Sequence, residues 1–109
     1  MLIFKICPPA EWAEAERQGV YFGSAKDRED GFLHFSTFEQ LQGTLERHFP
    51  GTEDLMLVAV DDAVLGDAVK FELSRDGALF PHLYGSLPLG AVTWARKLVR
   101  KSGAPAGIF

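Results

Sequence analysis

Two segments hold the residue types that could do chemistry: Gly31-Phe32-Leu33-His34-Phe35-Ser36-Thr37 and Phe80-Pro81-His82-Leu83-Tyr84-Gly85. An imidazole can donate, accept or bind a metal, so a histidine is the first residue to ask about in a pocket. Side chains along a strand alternate between faces. If both segments are extended, Phe32, His34 and Ser36 share one face, and so do Phe80, His82 and Tyr84. Leu33 and Phe35 then turn to the core. Each segment offers a histidine flanked by rings, and an apolar wall with a few placed polar groups is how ligand sites are built. One histidine in an apolar setting is as readily a core group that donates to a carbonyl. Two of the chain's three histidines in such similar settings tilt the balance toward a ligand site. His48 falls in the last turn of a helical pattern, where it suits the helix dipole, and is assigned to structure.

Other chemistries find less support. There is no His-Glu-x-x-His, no His-x-His and no cysteine pair, so hydrolysis at a histidine-bound metal is a third reading that predicts bound zinc. No Gly-x-Ser-x-Gly elbow or glycine-rich phosphate loop occurs. The lone Cys7 cannot form an internal disulfide and reads as a small buried hydrophobe. A net charge of −4 argues against a broad nucleic-acid surface, although Lys26, Arg28, Arg75 and Arg96 could converge locally. The longest uncharged apolar run, Leu55 to Val60, is far too short to span a membrane, so a cytoplasmic protein is expected.

The elements that must position these residues follow from pattern. With 109 residues and 47% hydrophobic side chains, the chain suits a single α+β domain over residues 1–100, with 101–109 as a flexible tail. Leu2 to Cys7 reads as a strand, closed by Pro8-Pro9. Ala10 to Arg17 reads as a helix stopped at Gly19, with Trp12, Ala13 and Ala15 as its narrow apolar face. The polar stretch Ser24 to Asp30 reads as a solvated loop. Ser36 and Thr37, each three residues before Glu39 or Gln40, offer two overlapping capping boxes. They open a helix with Phe38, Leu41, Leu45 and Phe49 on one stripe. Leu55 to Val60 is apolar throughout and suits a central strand. Ala68 to Leu73 alternates as a half-exposed strand, and Ser74 to Gly77 is turn chemistry. Ala78 to Tyr84 contains Pro81, which predicts an edge or irregular stretch. Ala91 to Val99 reads as the last strand. Two helices and many strands without regular alternation predict a mixed, largely antiparallel sheet.

The series Ile3-Phe4-Lys5-Ile6, Gly31 to Thr37, and Phe80 to Gly85 with Leu87-Pro88-Leu89 resembles the bacterial family called domain of unknown function 952, from Leu2 to about Lys97. More distantly, Gly31 to Ser36, the following helix and the strand Leu55 to Val60 resemble the middle section of the ADP-ribosyltransferase superfamily. That resemblance implies an ADP-ribosyltransferase-like fold and a cleft between the two histidine strands for NAD, ADP-ribose or a related nucleotide. His34 would meet the nicotinamide or its replacement, and His82 and Tyr84 would meet ribose or phosphate. Ser36 and Arg75 would assist, and Lys5 would stand in the place of the ribose-contacting residue of the first strand. The chain departs from the superfamily in two places: Lys5 replaces a usual His or Arg, and His82 replaces a frequent Glu. Transfer passes through an oxocarbenium-like state that a carboxylate stabilises. Glu72 and Asp76 are the only nearby acids in sequence, and neither is assigned to the pocket. The RNA 2′-phosphotransferase branch of that superfamily works without the glutamate.

The expectation is therefore a nucleotide-binding domain with His34 and His82 as catalytic candidates. The alternative is a non-catalytic module for a small metabolite or a protein partner.

Overall fold

The computed structural model describes residues 1–74 and 77–99. Strand β1 (Leu2–Cys7) pairs antiparallel with β4 (Asp54–Asp61), and β4 pairs antiparallel with β8 (Val92–Val99). The apolar run of β4 is central because both its faces are covered. Val58 and Val60 join Ile3, Cys7 and the buried Trp12 and Ala15 of α1 (Pro9–Gln18). Leu55, Leu57 and Ala59 join Phe4, Ile6 and the buried Leu41 and Leu45 of α3 (Leu41–His48). Each fully buried Leu or Val contributes roughly 1.5–3 kcal/mol, so the two apolar layers that clamp this sheet dominate the stability.

A second sheet has the order β3 (Leu33–His34), β6 (Leu79–Leu83), β5 (Val69–Leu73). A short pair joins β2 (Val20–Tyr21) to β7 (Leu87–Pro88). All named pairings are antiparallel. An antiparallel bridge between Phe4 and Ser36 ties the β3 segment to β1 and so links the two larger sheets. No helix among the described residues is long and apolar enough to cross a membrane.

The architecture is α+β and antiparallel as expected, with three local corrections. The stretch read as a solvated loop is a helix, α2 (Ala25–Asp30). Ser24 Oγ accepts from the Asp27 backbone N–H at 3.1 Å, and Asp27 Oδ2 accepts from the Ser24 N–H at 2.9 Å. This reciprocal cap satisfies two donors that water would otherwise hold, and Gly31 at φ 87° closes the far end. A four-residue helix, α4 (Asp62–Leu65), follows β4, so the described residues hold more helices than the two expected.

The second correction concerns Pro81, which sits in the central strand of its sheet rather than at an edge. Its missing N–H points toward β3, and β3 leaves the ladder at His34. One bond, from Phe35 N to the Pro81 carbonyl at 2.9 Å, is made there, and none is required in return. The third correction is at the capped helix, which opens as a 3₁₀ turn over Phe38–Gln40. Of the two overlapping boxes, the one at Thr37 and Gln40 forms: Thr37 N donates to Gln40 Oε1 at 2.9 Å. The tail over 101–109 lies outside the described residues.

Candidate functional site

Register brings the two histidines together. Leu33 pairs with Leu83 and His34 with His82, so the rings lie on one face of neighbouring strands, 5.5 Å apart and edge-on. The histidine strands are therefore hydrogen-bonded neighbours forming one wall, which corrects the expectation of a cleft between them. Phe32 fills the space over that wall. Its ring stacks on His82 at 4.1 Å and lies 4.7 Å from His34 and 5.2 Å from Tyr84.

Each histidine is held by an acid. Asp27, from the first turn of α2, is buried with one oxygen 2.6 Å from His34 Nδ1 and the other 2.6 Å from the ammonium of Lys5. It also accepts the backbone N–H groups of Ser24 and His34. Burial alone would raise the Asp27 carboxyl. The His34 hydrogen bond and the Lys5 charge outweigh it and hold the group far below the usual carboxylate range. Asp30, one turn on, meets His34 Nε2 at 3.0 Å. On the other side, Glu72 Oε1 lies 2.8 Å from His82 Nδ1 and accepts the Tyr84 hydroxyl at 2.6 Å. The Tyr84 and His82 bonds hold the Glu72 carboxyl low, and the same bond to Glu72 raises the Tyr84 phenol.

A glycine makes room for this arrangement. Gly23 has φ 99°, and a Cβ there would stand 2.8 Å from Asp27 Cβ. The loop can approach the carboxylate this closely only with no side chain at that position.

A family model described as "Protein of unknown function (DUF952)" matches residues 6–95. The chain belongs to the DUF952 family. It is similar to the crystal structure of protein CC0527 from Caulobacter crescentus, with 44% identity and a TM-score of 0.90 over 97% of this chain and 91% of that one. It is also similar to the solution structure of CC0527, with 46% identity and a TM-score of 0.85 over 95% of this chain and 90% of that one. No curated protein matches.

In this DUF952 chain the expected site residues separate into two groups. His34, His82, Tyr84 and, through Asp27, Lys5 belong to one connected cluster. Ser36 does not join it. Alternation holds through Phe35, but the chain then crosses to β1, and the buried Ser36 hydroxyl meets Thr44 of α3 at 2.8 Å. Arg75 lies outside the described residues.

Sequence reasoning missed Asp27 and Asp30, and named Glu72 without placing it in the site. Asp27 had a signal in the Ser24-x-x-Asp27 spacing, which fits a cap. Glu72 had one in the hairpin: with Ser74–Gly77 as its turn, Lys70 falls opposite His82 and Glu72 diagonal to it. A separate groove of about 160 Å³ lies on the α3 side, lined in part by Gln40, Thr44, Arg47 and Phe80, away from the histidines. Among the described residues no group of three or more His, Cys, Asp or Glu is placed to hold a metal ion.

Proposed function

We propose that the cluster of Phe32, His34, His82 and Tyr84, with Glu72, binds the nicotinamide–ribose end of NAD, or ADP-ribose or a related nucleotide, and that its chemistry is ADP-ribosyl transfer. The observation that carries this reading is Glu72. The distant resemblance puts a histidine at position 82 where an acid is usual, and β5 supplies a carboxylate 2.8 Å from that histidine. In transfer, the bond from ribose C1′ to the nicotinamide nitrogen breaks with its electron pair on the nitrogen. An acceptor hydroxyl then adds to C1′ and gives up its proton. A carboxylate beside C1′ stabilises the oxocarbenium-like state between those events. His82, held by Glu72, would receive the proton, and His34 and the rings would contact the nicotinamide. A cationic pyridinium also suits a wall that presents carboxylates and aromatic faces.

The second reading, a non-catalytic binding module, is favoured by the 4.1 Å stack of Phe32 on His82. Rings this close leave no slot, so a ligand would lie over the half-exposed edge formed by His34, Tyr84 and Glu72.

The test is a titration of the purified protein with NAD and with ADP-ribose, followed by amide shifts and melting temperature, with nicotinamide release measured alongside. The proposal expects shifts centred on residues 32–34 and 82–84, a response lost in His34→Ala and Tyr84→Phe, and released nicotinamide. Binding without release supports the module. No response at millimolar ligand, or an equal response in both variants, overturns the site.

A further inference from the structure

Strand β5 is an edge: among the described residues it pairs with β6 and with no other strand. The hairpin decides which way its backbone faces. Ser74 N donates to Ala78 O, and Tyr84 N donates to Ala68 O. Bonded and non-bonded pairs alternate along antiparallel strands. Lys70 and Glu72 therefore turn their N–H and C=O groups toward β6, while Val69, Phe71 and Leu73 turn theirs outward. The Val69 N–H is taken by the Gly66 carbonyl. Those of Phe71 and Leu73 have no partner among the described residues. Phe71 is 40% exposed, Leu73 70% and the neighbouring Leu79 53%. An open edge with exposed apolar side chains is what natural sheets usually block.

The sequence of this edge is chemically palindromic. Val69-Lys70-Phe71-Glu72-Leu73 runs apolar, cation, aromatic, anion, apolar. Laid antiparallel on a second copy with Phe71 opposite Phe71, the outward backbone groups of the two phenylalanines exchange both hydrogen bonds. In that register Lys70 stands opposite Glu72 in both directions and Val69 stands opposite Leu73. A slip of two residues either way sets Lys70 against Lys70 or Glu72 against Glu72, and like charges directly opposite are destabilising. The backbone and the charges thus select one register.

We propose that β5 is the self-association edge of a symmetric homodimer, with β5 of one copy antiparallel to β5 of the other. The arrangement is isologous, since one strand supplies both halves of the contact, and it joins two three-stranded sheets into one. Lys70 and Glu72 share the face that carries His82 and Tyr84. The dimer therefore sets a lysine of the second copy beside the acid that holds each ring cluster. This association is independent of what the ring cluster binds.

The test is sedimentation of the full chain up to millimolar protein, with far-UV circular dichroism to confirm folding. Wild type is expected at twice the chain mass. Phe71→Pro removes an N–H that faces away from β6, so it spares the hairpin and is expected to be monomeric. Lys70→Glu and Glu72→Lys each set like charges opposite one another and are expected to be monomeric alone. Mixed, they restore both pairs and are expected to form a heterodimer. Wild type that stays monomeric at millimolar protein overturns the proposal, and so does a dimer that persists in Phe71→Pro. A mixture that fails to associate, with both chains folded, overturns the register and with it the proposal.

Discussion

Lys5 and Asp27 form an ion pair of 2.6 Å in which both side chains are buried. The two ends of the pair are not equally supported. Asp27 also accepts from Ser24 N, His34 N and His34 Nδ1, whereas among the described residues the Lys5 ammonium donates to Asp27 alone. A buried pair is worth little against a well-packed apolar replacement, but removing one partner strands the other charge at a cost of roughly 3–5 kcal/mol. Asp27→Asn is therefore expected to lose stability in that range, and Lys5→Met to lose less. The double variant should cost less than the sum of the two, because no charge is left stranded. Urea unfolding of the four proteins measures the coupling. A strictly additive double variant would show that the pair does not act as a unit.

The same carboxylate sets an acid limit. Its ordinary value is 3.8, and folding holds it well below that. Near that pH the unfolded chain binds more protons than the folded one, so stability rises with pH there. The Asp27 contribution is complete above the unfolded value and is lost as pH falls below it through the folded value. Wild type minus Asp27→Asn, measured by urea midpoints from neutral pH downward, should be constant at first and then shrink as acid is added. A difference that stays flat into strong acid would remove Asp27 from this role.

Much of the frame was legible because its signals are local. The unbroken apolar run of Leu55–Val60 demanded cover on both faces, and the stripe of Leu41 and Leu45 supplied one of them. The pairing of His34 with His82 followed the alternation of each segment, although nothing in either segment said that the two strands would be neighbours. What stayed hidden depends on long separations. Asp27 lies in a run of charges that reads as solvated, and its burial rests on partners outside that run, Lys5 22 residues earlier and His34 seven later. Pro81 misled because the rule against central prolines concerns the neighbour that the missing N–H faces. That direction depends on where β3 ends. Ser36 missed the cluster because the alternation ends at Phe35, where the bridge to Phe4 carries the chain to β1 and sets the hydroxyl against Thr44 of α3.

Gly23 is the second sensitive point of the Asp27 cradle. At φ 99° an alanine is strained whatever the space, and its Cβ would stand 2.8 Å from Asp27 Cβ and 3.3 Å from Leu33 Cδ1. Strain of this kind costs on the order of 1–3 kcal/mol, and the steric clash adds to it by pushing α2 from its cap. Gly23→Ala is expected to lower the urea midpoint and to shift the His34 ring resonances, because Asp27 orients that ring. Gly19→Ala makes a matched control: it has a similar φ of 77° but open space around its Cβ. Equal losses at both positions would show that the close approach to Asp27 is unimportant.

The Glu72 bond to Tyr84 can be read directly from phenol absorbance. The chain has two tyrosines, and both phenols are raised. Tyr21 is raised by burial first and then by its hydrogen bond to Glu11, whereas Tyr84 is raised first by its bond to Glu72. A carboxylate that accepts the hydroxyl favours the protonated phenol, so removing it must lower the titration point. In alkaline absorbance titration Tyr84 should ionise above the ordinary tyrosine range, and Glu72→Ala should bring it down while leaving Tyr21 in place. Tyr84→Phe should abolish the step assigned to Tyr84. An unchanged Tyr84 step in Glu72→Ala would mean that Glu72 does not hold this edge of the ring cluster, and the carboxylate on which the nucleotide reading depends would be misplaced.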